Sequence, residues 1–357
     1  MGLLAVAGWI YMGNEDEVRT LRQMAGLVTP MALRVAVTLG LPDRLRAAGP
    51  VPADSAPASS AASSEAATVA HLAAELDVDP TALELLLGHL TTLGVVERAG
   101  PGYRTTDFGA HLCADAGNGL HNLLHHDTAA GRADLAFVDL AHSVRTGEPA
   151  YPLRYGQDFW ADLADQPHLR EAFDRQMTWR IKDRIPQYVE AVDWSRFNKI
   201  VDVGGGPGDL LAAVLAANPD ICAHLVDLEV GPAQQNFAEL GDRAEATQGS
   251  FFAPLPADGD AYLLFNILHD WDDEQCHRIL ARCVEAMSAT ARLIVVESIR
   301  GMGASTEMDL VMLVHFGGQE RSVQEFEKLA EPHGLRLTGV TEVADDRCVL
   351  EFRKHPI

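Results

Sequence analysis

Between residues 18 and 45 the apolar positions Leu21, Met24, Leu27, Val28, Met31, Leu33, Val35, Val37 and Leu41 recur at helical spacing on more than one face. Helices patterned in this way are covered from several sides, and a second subunit is the expected cover. The stretch before them, "MGLLAVAGWIYMG", is also apolar. It lacks a basic start, a clear small-residue cleavage site and the length of a bilayer span, and Val6 stands where a myristoylation signal requires Ser or Thr. It therefore reads as more apolar surface for the same partner, not as a targeting segment. Over 50–67 the pattern stops, because "PVPADSAPASSAASSEAA" is a low-complexity run that buries too little apolar area to order itself; a flexible loop is expected.

Helical periodicity resumes in "TVAHLAAELDV", with Thr68 as a cap, and continues in "DPTALELLLGHLTTLG". Alternation follows in "VVERAGPGYRTT", with Pro101-Gly102 as the turn. Helix, turn, helix and hairpin in that order predict a winged helix. Many such modules read DNA. Here the helix in the recognition position, 80–94, carries Glu84 and no Lys or Arg, so it has nothing to neutralise phosphates with. A structural module is expected, and a DNA-binding regulator is the disfavoured alternative.

From 111 to about 188 the pattern is mostly helical, with aromatic-rich turns such as "YGQDFWADLADQP" that suit a pocket wall. Beyond residue 192 short apolar strands ("KIVDV", "AHLVDL", "AYLLFNIL", "RLIVVESI") alternate with helices such as "DLLAAVLAAN" and "DEQCHRILARCVEAM". That alternation predicts a doubly wound, Rossmann-like α/β domain with a parallel sheet. The expected division is a mainly α winged-helix dimerisation domain over 1–110, a helical linker lining the substrate pocket over 111–190, and the Rossmann-like domain over 191–357.

Composition narrows the partners. The chain is 47% hydrophobic and carries a formal charge of −23 spread along its length, which repels phosphate backbones and anionic membranes. No nucleic acid and no membrane partner is expected. Cys113, Cys222, Cys276, Cys283 and Cys348 form an odd set without any Cys-x-x-Cys, which fits neither a disulfide framework nor a zinc ribbon; a cytoplasmic location is expected.

Candidate chemistry begins at "VDVGGGPGD", the first strand-to-helix turn of the α/β domain, where ligands of such sheets lie. Counting from Gly204, the third glycine of a dinucleotide fingerprint is replaced by Asp209, and a Walker loop would need Gly-Lys-Ser/Thr. Asp202 and Asp209 would also repel a pyrophosphate. A nucleoside with a cationic tail and no phosphate is welcome instead, which describes S-adenosylmethionine. Gly204 and Gly206 let the backbone approach it, and Asp227, followed by Leu228 after the second strand, stands where a carboxylate grips a ribose diol.

The stretches "MALRVAVTLGLPDRL", "LAHSVRTGEPAYPLRYGQDFW", "VDVGGGPGD", "GSFFAPLP", "NILHDWDDEQC" and "GGQERSVQEFEKLAEPHG" follow one another in the chain. In them the sequence resembles the class I S-adenosylmethionine-dependent O-methyltransferases of the plant caffeate type and their bacterial relatives in aromatic polyketide and antibiotic biosynthesis. The resemblance implies a homodimer built through the N-terminal domain, with the cofactor in the C-terminal domain. It implies cofactor contacts at Ser250, where the family usually has an aspartate, at Phe251, at Phe265, which replaces a polar residue, and at Trp271. It also implies His269 as the proton acceptor flanked by Glu297 and Glu320, and Phe159, Trp160, Met177, Asp309 and Met312 around the acceptor with His315 as a neighbour.

The chemistry suits these residues. Methyl transfer to oxygen is an in-line displacement that needs alignment and a nucleophilic oxygen. A phenol titrates near ~10, so a positioned histidine helps at neutral pH, and a flanking carboxylate would fix its tautomer. Asp272 reads as a helix cap with Gln275 as its capping-box partner, and Cys276 and Cys283 as core. His121 and His125 are spaced i to i+4 but lack an acidic partner in their motif, and the reaction needs no metal. Arg154, Arg180 and Arg184 are the cations that would meet a carboxylate on the ring, if it has one. The alternative within the same group is a cofactor-binding relative that performs hydroxylation or decarboxylation in polyketide tailoring.

Overall fold

The computed structural model describes residues 14–46, 68–344 and 347–355. The apolar start and the whole of the Ala/Ser/Pro run over 50–67 lie outside the described residues. Two compact units divide at Gly131 and Arg132, so the helical stretch 111–190 is shared between them.

In the first unit, helices run over Asn14–Met24, Val28–Thr38 and Leu41–Arg44. Thr68 caps Val69–Leu76 by accepting the His71 N–H, and Asp79 caps Pro80–Thr92 by accepting that of Ala82. A hairpin follows, β1 (Val96–Ala99) against β2 (Gly102–Thr105). Its turn is Gly100-Pro101, one residue earlier than expected, because Ala99 already pairs with Gly102 and Gly100 takes the left-handed φ of 57° that a two-residue loop demands. Leu72, Leu83, Leu87, Leu90 and Tyr103 close the core. Glu84 is committed inside this module, taking the Tyr103 hydroxyl at 2.9 Å and an ion pair from Arg98.

The second unit is built on a seven-stranded sheet. Its strands are β3 (Lys199–Val203), β4 (Cys222–Asp227), β5 (Ala244–Gln248), β6 (Ala261–Phe265), β7 (Arg292–Ser298), β8 (Leu335–Ala344) and β9 (Arg347–Lys354), in the order β5-β4-β3-β6-β7-β9-β8. All pairings are parallel except those of β9 with β7 and β8. The doubly wound core is thus as expected, but an antiparallel hairpin closes one edge. Ile200, Val201 and Val203 are wholly buried, as continuous apolar strands covered on both faces must be. β6 stops at Phe265 instead of running to Leu268, since Asn266 adopts φ 54° and turns the chain into the short helical turn Leu268–Asp270. That break places His269 above the carboxyl ends of the strands, where α/β sheets hold their ligands.

No helix among the described residues is long and apolar enough to cross a membrane. Val18, Leu21, Met24, Leu27 and Val28 are exposed on the first two helices, a row of apolar side chains that water disfavours. Aspartate at both Leu21 and Met24 is expected to move the protein toward monomer in sedimentation velocity while the helical circular dichroism is retained.

Candidate active site

The glycine turn is shaped by what lies under it. A Cβ at Gly205 would sit 2.4 Å from Asp202 Oδ2 and 2.6 Å from Leu225 Cδ1, so only glycine lets the chain fold over its own aspartate. Gly206, with φ 55° and nothing near its missing Cβ, donates its N–H to Asp227 Oδ2 at 2.9 Å. The other Asp227 oxygen takes Arg170 Nη2 at 2.9 Å, and Arg170 also holds Asp174. Asp202 is buried with Oδ1 lacking a hydrogen-bond partner. Burial first, and then the Asp227 charge, push its pKa up to about 7. A carboxylate in that position is short of a cation.

The turn opens on a cavity of about 800 Å³, lined by Asp202, Gly204, Gly206, Asp227, Leu228, Ser250, Phe251, Phe265 and Trp271. Trp271 lies in T-shaped contact with Phe251 and Phe252, with centroids 5.8 and 5.0 Å away and interplanar angles of 84° and 89°. Trp160 stacks with Trp271 at 6.2 Å and with Phe316 at 5.6 Å. Met177 and Met312 complete a flat apolar slot in the same cavity.

Three residues expected in that wall do not line it. Phe159 lies behind it, edge-on to Trp160 at 5.2 Å. Asp309 is turned to Arg300 and to the Glu320 N–H, both at 3.1 Å. His315 is buried edge-on to Phe137 at 5.6 Å, with Asp134 Oδ1 at 3.6 Å from Nε2, and burial drives its pKa down to about 4. Phe316 and Phe173 line the cavity and were not assigned to its wall from sequence; of the three arginines offered for an acidic acceptor, Arg180 and Arg184 line it and Arg154 does not. Phe316 was recoverable, being four residues from Met312 on the helix Thr306–Phe316.

His269 is buried and lines the same cavity. Its Nδ1 lies 3.1 Å from Glu320 Oε1 and 3.7 Å from Glu297 Oε2, and its Nε2 lies 3.4 Å from Asp270 Oδ1. Asp270, unassigned from sequence, is thus a third carboxyl on the ring. Burial opposes the imidazolium, but Glu297, Asp270 and Glu320 together outweigh it and raise the His269 pKa to about 9. Burial raises Asp270 to about 7 and also raises Glu297.

The turn carrying His269 is held at several points. Glu297 Oε1 accepts the N–H groups of Ile267 and Leu268 at 2.9 and 2.8 Å. Arg321, fully buried, donates to the carbonyls of Leu268 at 2.7 Å and Trp271 at 2.8 Å and to Asp273 at 2.8 Å. Gln319 donates to the His269 carbonyl at 3.0 Å, and a Cβ on Gly318 would strike that carbonyl at 2.1 Å. Asp272 caps the helix Asp273–Ala286 by accepting the Gln275 N–H. The reciprocal half of the capping box is replaced, since the Gln275 side chain takes Arg278 instead. Cys276 and Cys283 are buried in the core.

In the first unit, the His121 and His125 rings lie 5.3 Å apart, and His125 Nδ1 accepts the Asp127 N–H. Asp43, Cys113 and Asp115 are the only cluster of three metal-capable groups among the described residues, and Asp115 is already paired with Arg46.

Comparison with known proteins gives consistent matches. A model of the O-methyltransferase domain matches residues 137–336, and one of the O-methyltransferase dimerisation domain matches 21–115. The chain is 41% identical to the 2,7-dihydroxy-5-methyl-1-naphthoate 7-O-methyltransferase of Streptomyces carzinostaticus, over 91% of this chain and 95% of that one. It is 38% identical to the aclacinomycin 10-hydroxylase RdmB of Streptomyces purpurascens, over 95% and 91%. Among solved structures, the neocarzinostatin O-methyltransferase NcsB1 in complex with S-adenosylmethionine and 2-hydroxy-5-methyl naphthoic acid superposes with a TM-score of 0.83 at 38% identity, covering 94% of this chain and 98% of that one.

The folded-state pKa of His269 lies above its ordinary 6.5. The stability contributed by the imidazolium is therefore full below about 6.5 and is lost as pH rises through about 9. NMR titration of the imidazole is expected to show a midpoint near 9. Glu320→Gln should lower that midpoint by about one unit or more, because one facing charge is removed.

Proposed function

The chain belongs to the O-methyltransferase family, and we propose that it transfers the methyl group of S-adenosylmethionine to a phenolic hydroxyl of an aromatic polyketide or related natural product, with His269 taking the phenol proton. It is an enzyme of S-adenosylmethionine-dependent O-methylation, and its dimerisation domain makes it a homodimer. The cofactor supplies an electrophilic methyl group on a sulfonium. The residues present fit it: the orphaned Asp202 Oδ1 wants a cation, Asp227 offers acceptor positions beside the Gly206 backbone, and Phe251 and Trp271 offer aromatic surface for a purine. Ser250 keeps its Oγ on the Phe252 N–H at 3.2 Å, and Phe265 meets the Tyr188 ring edge-on.

The observation that carries this reading is the buried imidazole that shares one cavity with the acidic glycine turn. With Nδ1–H donated to Glu320, the lone pair of His269 is on Nε2, where a hydroxyl in the Trp160 slot presents its proton. Glu320 and Glu297 then stabilise the imidazolium as the proton arrives, and the aromatic walls keep water from competing. The helices carrying Trp160 and Met177 wall the acceptor side. A cytoplasmic setting accords with the free state of all five cysteines. The hydroxylase relative supports a second reading, a member that binds the cofactor and performs hydroxylation or decarboxylation.

His269→Ala is expected to reduce kcat by about 10²- to 10⁴-fold with labelled cofactor and phenolic acceptors, while calorimetry still registers cofactor binding. In the wild type, kcat/KM should climb with pH and level off near 9, since His269 must be neutral to act. Wild-type protein that binds the cofactor, methylates no phenol and oxidises or decarboxylates an acceptor would favour the second reading.

A further inference from the structure

The helix Pro167–Ile181 lays one face along the cavity, with Arg170, Phe173, Asp174 and Met177 at positions i, i+3, i+4 and i+7. Phe173 and Met177 supply apolar wall. Arg170 and Asp174, which sequence left unassigned, carry charge into the same cavity.

Arg170 is shared between two carboxylates. Its Nε meets both oxygens of Asp174, one helical turn on, at 2.9 and 3.1 Å, and its Nη2 reaches Asp227 Oδ1 at 2.9 Å. All three side chains are largely withdrawn from water, with exposures of 16% for Arg170, 10% for Asp174 and 12% for Asp227. Carboxylates at that depth are costly unless paired, and one guanidinium serves both. Further along, the same helix is tied to the glycine turn a second time, where the Thr178 hydroxyl donates to Asp209 Oδ2 at 2.5 Å.

Asp227 is thereby held by three donors. Its Oδ1 takes Arg170 and the Glu229 N–H, the latter at 3.2 Å, and its Oδ2 takes the Gly206 N–H at 2.9 Å. A carboxylate oxygen offers two lone pairs, so among the described residues Oδ1 is filled and Oδ2 keeps one acceptor position. Gly206 and Glu229 hold the carboxylate from the two loops beside it. Arg170 comes from a separate helix and is the charged partner, which makes its hydrogen bond the stronger hold.

We propose that Arg170 is a positioning residue for the cofactor: braced by Asp174, it holds the Asp227 carboxylate so that Oδ2 receives a ribose hydroxyl. This rests on Asp227 as the ribose acceptor in the methyl-transfer reading above and names the residue that sets it. Arginine suits the task better than lysine, because Nε and Nη2 lie in one rigid plane and serve two carboxylates at once.

Calorimetry of the full-length protein with S-adenosylhomocysteine, and with its counterpart lacking both ribose hydroxyls, reads binding without turnover. Wild type should bind the parent nucleoside about tenfold or more tightly than the counterpart. Arg170→Gln should weaken the parent about tenfold and leave the counterpart within about twofold, since the hydroxyl contact is what it disturbs. Arg170→Lys and Asp174→Asn should give intermediate losses, again confined to the parent, and they carry the test if circular dichroism shows Arg170→Gln unfolded. Equal weakening of both ligands makes Arg170 a structural brace and overturns the proposal. Unchanged or tighter binding of the parent also overturns it, the tighter case meaning that Arg170 competes with the ribose for Asp227. Equal affinity of wild type for the two ligands removes Asp227 as the ribose acceptor, and this proposal with it, while methylation of a phenol by the same protein would leave the methyl-transfer reading standing.

Discussion

One imidazole faced by three buried carboxyl groups is the constraint on which the rest of the site depends. Glu297, Glu320 and Asp270 cannot all be charged in a dry interior without cations, and His269 is the cation they share, with the charge of Arg347 also felt at Glu297 and that of Arg180 at Asp270. The pairing fixes backbone as well as charge. Glu297 spends one oxygen on two N–H groups just before His269, and Arg321 ties the carbonyls on either side of it. With Gly318 pressed against the His269 carbonyl, the turn has little room to shift. In the role proposed for it, an imidazole fixed at that many points would meet its substrate without reorganising.

The same cavity treats its two ends differently. At the glycine turn, Asp202 and Asp227 wait for positive charge, and the close approach at Gly205 and Gly206 leaves no side chain in the way. At His269, where we propose that the phenol proton is taken, the imidazole lies in the field of three carboxyl groups. Between them Trp160, Trp271 and Phe316 form a stacked wall that holds a flat ring without prescribing its polar pattern. Charge thus decides what enters at each end, and shape decides how the two meet.

Where the determinants were local, the sequence made them legible. The glycine turn, the caps at Thr68 and Asp272, and the alternation of strand and helix are each set by a few adjacent residues. β5 was missed because "AEATQ" is a half-exposed edge with no apolar run, and the β8–β9 hairpin because its alternation is weak. In "LHDWDD" three aspartates look alike, yet Asp270 is buried on the histidine, Asp272 caps a helix and Asp273 pairs with Arg321. Helix rotation explains the misplaced acceptor residues. On Thr306–Phe316, Met312 and Phe316 share the cavity face while Asp309 and His315 turn from it, and Trp160 lines the cavity where its neighbour Phe159 backs it.

As the proposed base, an imidazole whose pKa is lifted to about 9 looks poorly chosen for neutral pH, since only roughly one molecule in a hundred then holds it neutral at pH 7. The energetics of the transfer point the other way. A phenol that titrates near ~10 gives its proton to an ordinary histidine over a gap of about three and a half pKa units, each worth about 1.4 kcal/mol. Raising the imidazole to about 9 narrows that gap to about one unit. Reaching the phenolate then costs about 1.4 kcal/mol instead of about 5, so the nucleophilic oxygen is formed far more readily before the methyl group moves. What the carboxyl groups remove in availability they return in driving force, and the exchange favours catalysis wherever the proton can leave His269 before the acceptor seals the cavity.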